Sequence, residues 1–215
     1  MMTTEAPIIH HVEQGTPEWY AVRAGIPTAS ELNAIITPLW KPRTGEGVET
    51  YLSKKIAERW LGRPLESGGA FVMDQGKILE DEAVPFFEMM HDLTIERVGF
   101  ITTTDGKFGC SPDGLIGDDS GIEIKCPLPH THVGYLTAGV LPKDYAAQVY
   151  GGMYATGRSS WKFASYCRLF PALIIDVPRD EQIMDAIHDA LTSFNERLES
   201  GFEQLTALKG ARANQ

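Results

Sequence analysis

The chain has 215 residues, 43% of them hydrophobic, enough for one domain with a sizeable buried core. Its formal net charge of -10 argues against tight non-specific coating of nucleic acid. It leaves room for a protein that grips nucleic acid locally, because a metal site needs carboxylates and its bound cations reverse the local field. Three cysteines, Cys110, Cys126 and Cys167, cannot all pair within one chain. Residues 1–10 lack the basic flank and apolar run of a signal peptide, and no apolar stretch is long enough to cross a bilayer. These features together predict a reducing cytoplasm and no membrane.

In chain order, residues 17–24 read as a short helix stopped by Gly25. A second begins at Thr28 and runs to about Ile36, with Thr28 and Glu31 in the capping-box pattern. Residues 38–47 read as a loop carrying Lys41 and Arg43, and residues 50–61 as an amphipathic helix closed by Gly62. A longer helix is expected over 74–91, kinked at Pro85, which lacks a backbone donor. Strands are expected at 93–104, 107–117 and 121–126, the last two joined by a turn at Asp118-Asp119-Ser120-Gly121. A helix from Pro142 to Gly157, strands at 160–169 and 173–177, and a closing helix over 179–200 complete the pattern. The expected class is α/β or α+β, a single domain over 1–208 with a central mixed sheet flanked by helices. Within it, residues 17–61 form helices and 70–200 the core, and residues 209–215 form a loose polar tail.

The chemistry concentrates in Gly109-Cys110-Ser111-Pro112-Asp113-Gly114 and Gly121-Ile122-Glu123-Ile124-Lys125-Cys126-Pro127. A turn centred near Asp118 places Asp113 and Glu123 almost opposite each other. Side chains alternate along a strand, so Glu123 and Lys125 share one face and Ile122 and Ile124 the other. Carboxylates are hard ligands suited to Mg²⁺ or Mn²⁺, ions that polarise a phosphate oxygen and acidify a bound water. Lys125 can orient or deprotonate that water. A Glu-x-Lys pair alone is more often a solvated surface pair, and the preceding Ser-Pro-Asp-Gly turn is what shifts the balance. Glu80, on the 74–91 helix, is a candidate third acid, while Asp81 and Glu82 read as solvated. Tyr145 and Gln148 share a helix face, either as partners of the reacting group or as a half-buried polar stripe. Ser30 lies in the first turn of the Thr28 helix, where free N–H groups favour an anion, and Arg23 adds a fork that suits phosphate. On their own, Arg23 reads as a surface residue and Trp19 as core. Cys110, Cys126, His130 and His132 suggest zinc only weakly, because their spacing fits no common finger.

Taken together, Trp19-x-x-x-Arg23-x-Gly25-x-x-Thr28-Ala29-Ser30, Gly76-x-x-x-Glu80, Cys110-Ser111-Pro112-Asp113-Gly114, Glu123-x-Lys125-Cys126-Pro127 and Gln148 resemble the phage lambda exonuclease, or viral-recombinase, family. That family belongs to the group with the PD-(D/E)xK, restriction-endonuclease-like core. The motifs stand in order over residues 10–200 and are specific as a set. The resemblance implies a 5′-to-3′ exonuclease acting at double-stranded DNA ends, a ring-shaped homotrimer, and a single-strand annealing protein as partner in recombination. It implies Mg²⁺, with Mn²⁺ able to substitute and two ions per site, held by Asp113, Glu123, the Ile124 carbonyl and Glu80. Lys125 becomes the catalytic lysine and Gln148 a member of the catalytic set. Arg23, Ser30 and Ser111 become the 5′-phosphate pocket, with Trp19 beside the DNA end. One position departs: the wider group often has tyrosine four residues after the glutamine, and this chain has Gly152, flanked by Tyr150 and Tyr154. An endonuclease of the same group and a non-catalytic DNA-end binder are the alternatives, and the intact acid–acid–lysine set argues against the second.

Overall fold

In the computed structural model, which describes residues 6–65 and 70–213 and the backbone alone of 70–78 and 210–213, the strands divide into two sheets. The first is antiparallel: β1 (Ile8–His10), β2 (Phe100–Thr102) and β3 (Gly109–Cys110), in that order. The second is mixed and runs β4 (Gly114–Ile116), β5 (Ser120–Lys125), β6 (Ser160–Ser165), β7 (Leu173–Pro178). Its central pair, β5 and β6, is parallel, and the outer pairs are antiparallel. A parallel pair needs a long crossover. Here it is made by two helices, α4 (Pro129–Ala138) and α5 (Lys143–Thr156).

The expected 107–117 strand is broken where it matters most. Pro112 has no N–H to give a ladder and holds the residue before it extended. The chain therefore leaves the first sheet at Cys110 and joins the second at Gly114, with Ser111-Pro112-Asp113 as the bridge. The expected 93–104 strand shrinks to β2, plus one bridge from Glu96 to Leu115. At Gly99 the chain passes so close to residue 12 that a Cβ would stand 1.8 Å from the Val12 carbonyl oxygen. β1 and α4 have no counterpart among the expected elements. β1 is three residues of local pairing, whereas α4 carries legible punctuation, Pro129 in its first turn and left-handed Gly139 after its end.

The remaining helices are α1 (Pro17–Arg23), α2 (Glu46–Leu61), α3 (Ala70–His91) and α6 (Glu181–Ala213). Thr16 caps α1 by accepting from the Trp19 N–H. The Thr28 segment is a 3-10 helix over Ala29–Ala34, and the Thr28 side chain makes no cap hydrogen bond. Glu31 instead pairs with Lys54 and Lys55 of α2, so the expected capping box is replaced by a tertiary ion pair. Pro85 lies inside α3, which continues through it to His91. α6 runs through Gly201 and takes residues 209–213, assigned above to a tail, into its last turns. Gly201 is there for contact rather than for stopping: a Cβ would lie 2.5 Å from the Ile56 Cδ1 of α2.

The two faces of β5 decide where the site lies. Ile122 and Ile124 bury themselves with Ala83, Val84 and Phe87 of α3. Phe163, the register partner of Glu123, belongs to the larger core with Val149 and Met153 of α5. Glu123 therefore faces α5 from the floor of the sheet.

Candidate active site

The β4–β5 register pairs Gly114 with Ile122, so one step further along the hairpin Asp113 stands opposite Glu123, as the turn at Asp118 implies. β4 ends before that step. Asp113 takes its place with a side chain, its Oδ2 accepting the Ile124 N–H at 2.5 Å. The N–H and carbonyl of a strand residue point to the same edge, so the Ile124 carbonyl also lies on the Asp113 side. Glu123 is buried, and its Oε1 accepts from Gln148 Nε2 at 2.6 Å and from Lys125 Nζ. Lys125 lies with its ammonium 5.2 Å from the Tyr145 ring centre, and Tyr145 stacks on Phe163. Of the Tyr145–Gln148 helix face, Gln148 meets the carboxylate directly and Tyr145 backs the lysine. Glu80, half-buried on α3, lies near enough to the Asp113 carboxyl to oppose its ionisation.

This cluster is electrostatically unbalanced. Burial first, then the proximity of Glu80, hold Asp113 well above its ordinary value. Burial and the Asp113 charge push Glu123 up to about 8. Burial works to lower Lys125, but Glu123 and Asp113 outweigh it and raise the ammonium above its usual range. The two acids hold Lys125 as their charged partner, and a bound cation would act on the ammonium in the opposite sense. Three acids crowd a desolvated corner against one lysine, and a hard divalent cation would correct that excess charge. Among the described residues no three His, Cys, Asp or Glu side chains make a ready-built cage. Asp113 and Glu123 are oxygen donors of the kind that hard divalent cations take, one or two carboxylates at a time. The zinc reading loses His132 as a ligand. His132 lies buried between Ser165 Oγ at 2.7 Å and the Pro171 carbonyl at 2.9 Å, with both ring nitrogens engaged.

A second cluster forms around Ser111, on the bridge between the sheets. Its Oγ accepts from Trp19 Nε1 at 2.9 Å and from Arg23 Nη1 at 2.7 Å. A serine hydroxyl has two acceptor positions, so the Ser111 O–H is left as a donor to something else. The Arg23 guanidinium stacks 4.1 Å from the Trp19 ring centre. Burial lowers Arg23 from its ordinary value, although Glu31 acts in the opposite sense. Ser30 is exposed, its hydroxyl 3.3 Å from that of Thr28. The helix-terminus argument for an anion here is weak, because the segment is a short 3-10 helix of two turns with little dipole. What favours an anion is Arg23 and two hydroxyls.

The two clusters open into one cleft. Arg23, Ser30 and Ser111 line it together with Glu123, Gln148, Gly152 and Trp161. Tyr150 and Tyr154, the candidate substitutes for a tyrosine at 152, are committed elsewhere. Tyr150 packs edge-on against Trp40, and Tyr154 bonds the His188 ring at 2.9 Å. Asp81 and Glu82 pair on the surface with Arg97 and Arg168, as solvated residues should. Trp161 is the cleft residue that sequence reasoning passes over. In the sequence it is one more large residue in a strand, and nothing local marks it as lining a cleft.

The mixed sheet with two acids and a lysine at its β4–β5 hairpin has the arrangement of a nuclease site. The chain superposes on the alkaline exonuclease LHK-Exo from Laribacter hongkongensis with a TM-score of 0.81 and 30% identity, covering 92% of this chain and 100% of that one. The same exonuclease in complex with dAMP gives 0.80 and 31%, with the same coverage. A phage-related exonuclease from Haemophilus somnus 129PT shares the fold at 0.63 and 13% identity, covering 84% of this chain and 96% of that one. The YqaJ-like viral recombinase domain matches residues 18–159, and the chain belongs to that family. No curated protein matches the sequence. Among the described residues no helix is long and apolar enough to cross a membrane.

Proposed function

We propose that the chain is a Mg²⁺-dependent exonuclease that removes one strand of double-stranded DNA, 5′ to 3′, from a phosphorylated end. The observation that carries this reading is the single cleft joining the Arg23–Ser30–Ser111 cluster to Glu123 and Gln148. A phosphate reader and a carboxylate site in one cleft suit an enzyme that measures from an end. Asp113, Glu123 and the Ile124 carbonyl would hold the cation, with Glu80 in support; Mn²⁺ would substitute, and two ions would fit the phosphodiester chemistry. When bound, the cation supplies Lewis acidity to a phosphate oxygen and to the attacking water. Lys125, charged and tethered to Glu123, orients that water and offsets charge as the phosphate becomes more negative. Gln148 holds the Glu123 carboxylate in its rotamer. Arg23, Ser30 and Ser111 grip the terminal 5′-phosphate, with Trp19 fixing Arg23 and Ser111 beside the DNA end.

The LHK-Exo relative is named an alkaline exonuclease, which favours action at ends over internal cutting. We further propose a homotrimeric ring around the duplex and a single-strand annealing protein as partner in recombination. The test is a Mg²⁺ titration on linear and closed-circular duplexes, with a 5′-label to read direction. Loss of linear DNA alone, with the 5′-label released first, is expected, and chelation with EDTA should stop it. Attack on both forms would instead identify an endonuclease, and attack on neither a DNA-end binder.

A further inference from the structure

Arg23 and Ser30 line one cleft but come from different segments. Arg23 ends α1, and Ser30 lies in the 3-10 helix over Ala29–Ala34. Arg23 bonds Ser111, Ser30 bonds Thr28, and among the described residues neither bonds the other. What links their segments is a buried chain of charges on α2. The N–H of Gly25, two residues after Arg23, donates to Glu58 Oε2 at 3.3 Å. Lys55 Nζ donates to that same oxygen at 3.0 Å. It also pairs at 3.0 Å with Oε2 of Glu31, the residue after Ser30. Lys55 is 4% exposed and Glu58 2%. The chain is held from all sides: the Tyr51 hydroxyl donates to Glu31 Oε2, Lys54 holds Glu31 Oε1, and the Leu65 N–H donates to Glu58 Oε1.

Buried ion pairs carry a desolvation cost that apolar side chains of like volume do not, so stability alone does not account for this one. What it adds over apolar packing is direction, because hydrogen bonds fix distance and angle together. The link also decides what Glu31 does. Of the charges acting on Arg23, that of Glu31 is the strongest. With Lys54 on one oxygen and Lys55 on the other, the carboxylate is engaged by α2 rather than by Arg23. The guanidinium, whose one hydrogen-bond acceptor among the described residues is Ser111, is left for an anion.

We propose that Lys55 is a positioning residue for end recognition: from the buried face of α2 it bridges Glu58 and Glu31, and so sets Arg23 and Ser30 at the spacing that grips a terminal 5′-phosphate. The proposal rests on the reading of that cluster as a 5′-phosphate pocket. The test is the ratio of kcat/KM on 5′-phosphate and 5′-hydroxyl duplexes in Mg²⁺, for wild type, Arg23→Ala and Lys55→Met. Methionine keeps the stem and removes the charged donor. Loss of folded enzyme slows both substrates by one factor and cancels in the ratio, so a merely structural role leaves the ratio unmoved. Lys55→Met alone strands buried acids. Should it not fold, Lys55→Met with Glu58→Gln removes both charges, keeps an acceptor for Gly25 and still cuts the link to Glu31. The expected result is a ratio about tenfold below wild type in whichever variant folds, as for the loss of one hydrogen bond to a charged group. A folded variant with the wild-type ratio overturns the proposal. Failure of the underlying reading shows in the other two proteins: wild type would cut both kinds of end alike, or Arg23→Ala would keep the preference.

Discussion

Arg23 sits where its charge is costly. Its hydrogen bond goes to a neutral hydroxyl, its flat face to Trp19, and burial lowers its guanidinium from the usual value. A terminal 5′-phosphate adds about two charges and the acceptor oxygens that such a group lacks. A hydrogen bond to a charged group is worth about 1.5–3 kcal/mol, so wild type should prefer 5′-phosphate over 5′-hydroxyl ends by roughly 10- to 150-fold. Arg23→Ala should erase most of that preference and leave the rate on 5′-hydroxyl duplexes nearly unchanged. Initial rates of both proteins on both substrates check this, and an equal slowing on the two would make Arg23 a general DNA contact. Asp113 and Glu123 face the opposite problem: burial raises both, Glu80 adds to the cost of ionising Asp113, and Asp113 adds to that of Glu123. Asp113→Ala and Glu123→Ala should both fold, because each relieves repulsion. Each should lose more than the roughly 10- to 100-fold that removal of an outer partner of a metal site costs. A circular-dichroism melt beside a Mg²⁺ cleavage assay decides; a folded variant with near-normal cleavage removes that residue from the site.

At the scale of elements, Arg23 depends on how α1 ends against α2. Gly25 has φ +73°, and a Cβ there would meet the Arg59 Cβ at 2.6 Å and its backbone nitrogen at 2.9 Å. The Gly25 N–H is also held by Glu58 Oε2 at 3.3 Å. Gly25→Ala joins a strained conformation to a backbone clash, so it should cost about 2–4 kcal/mol, read as a lower urea midpoint at constant m-value. The 3-10 segment is tied to the same helix by Glu31. Burial alone would raise that carboxyl, but Lys55 and Lys54 outweigh it and bring it down to about 2. A folded value below the unfolded one contributes stability that is present above the ordinary 4.5 and lost as pH falls from there towards 2. Glu31→Gln should therefore melt below wild type at pH 6, with the gap narrowing as pH falls below 4.5 and closing only near pH 2. A constant gap across that window would assign the loss to packing rather than to charge.

For the whole molecule, the expectation concerns assembly. An acidic chain of net charge -10 has little long-range hold on DNA, so sustained digestion calls for topological retention, which a ring provides. A homotrimer is the expected species, and light scattering at working concentration measures it. A stable monomer would count against the ring, and short, distributive digestion at low protein concentration should then accompany it.

The motifs, their order and the β5 alternation were legible in the sequence because they are local. A strand's period of two sends Glu123 and Lys125 one way and Ile122 and Ile124 the other, and the turn at Asp118 sets Asp113 across from Glu123. The helices were legible as well, where apolar spacing marks them. What local pattern could not decide was partnership. Thr28 and Glu31 spell a capping box, yet two lysines of α2 compete successfully for the acid. Gly201 spells a stop, yet it is a close crossing with Ile56. The run 107–117 spells one strand, yet Pro112 splits it between two sheets, and that split brings Ser111 to Arg23 and Asp113 to Glu123. The cleft itself, with Trp161 in its lining, exists only in the tertiary structure. It arises from contacts between β5, β6, α5 and the 3-10 helix, far apart in the chain, whose mutual approach depends on side-chain volume at Gly121 and Gly152 rather than on any repeating pattern.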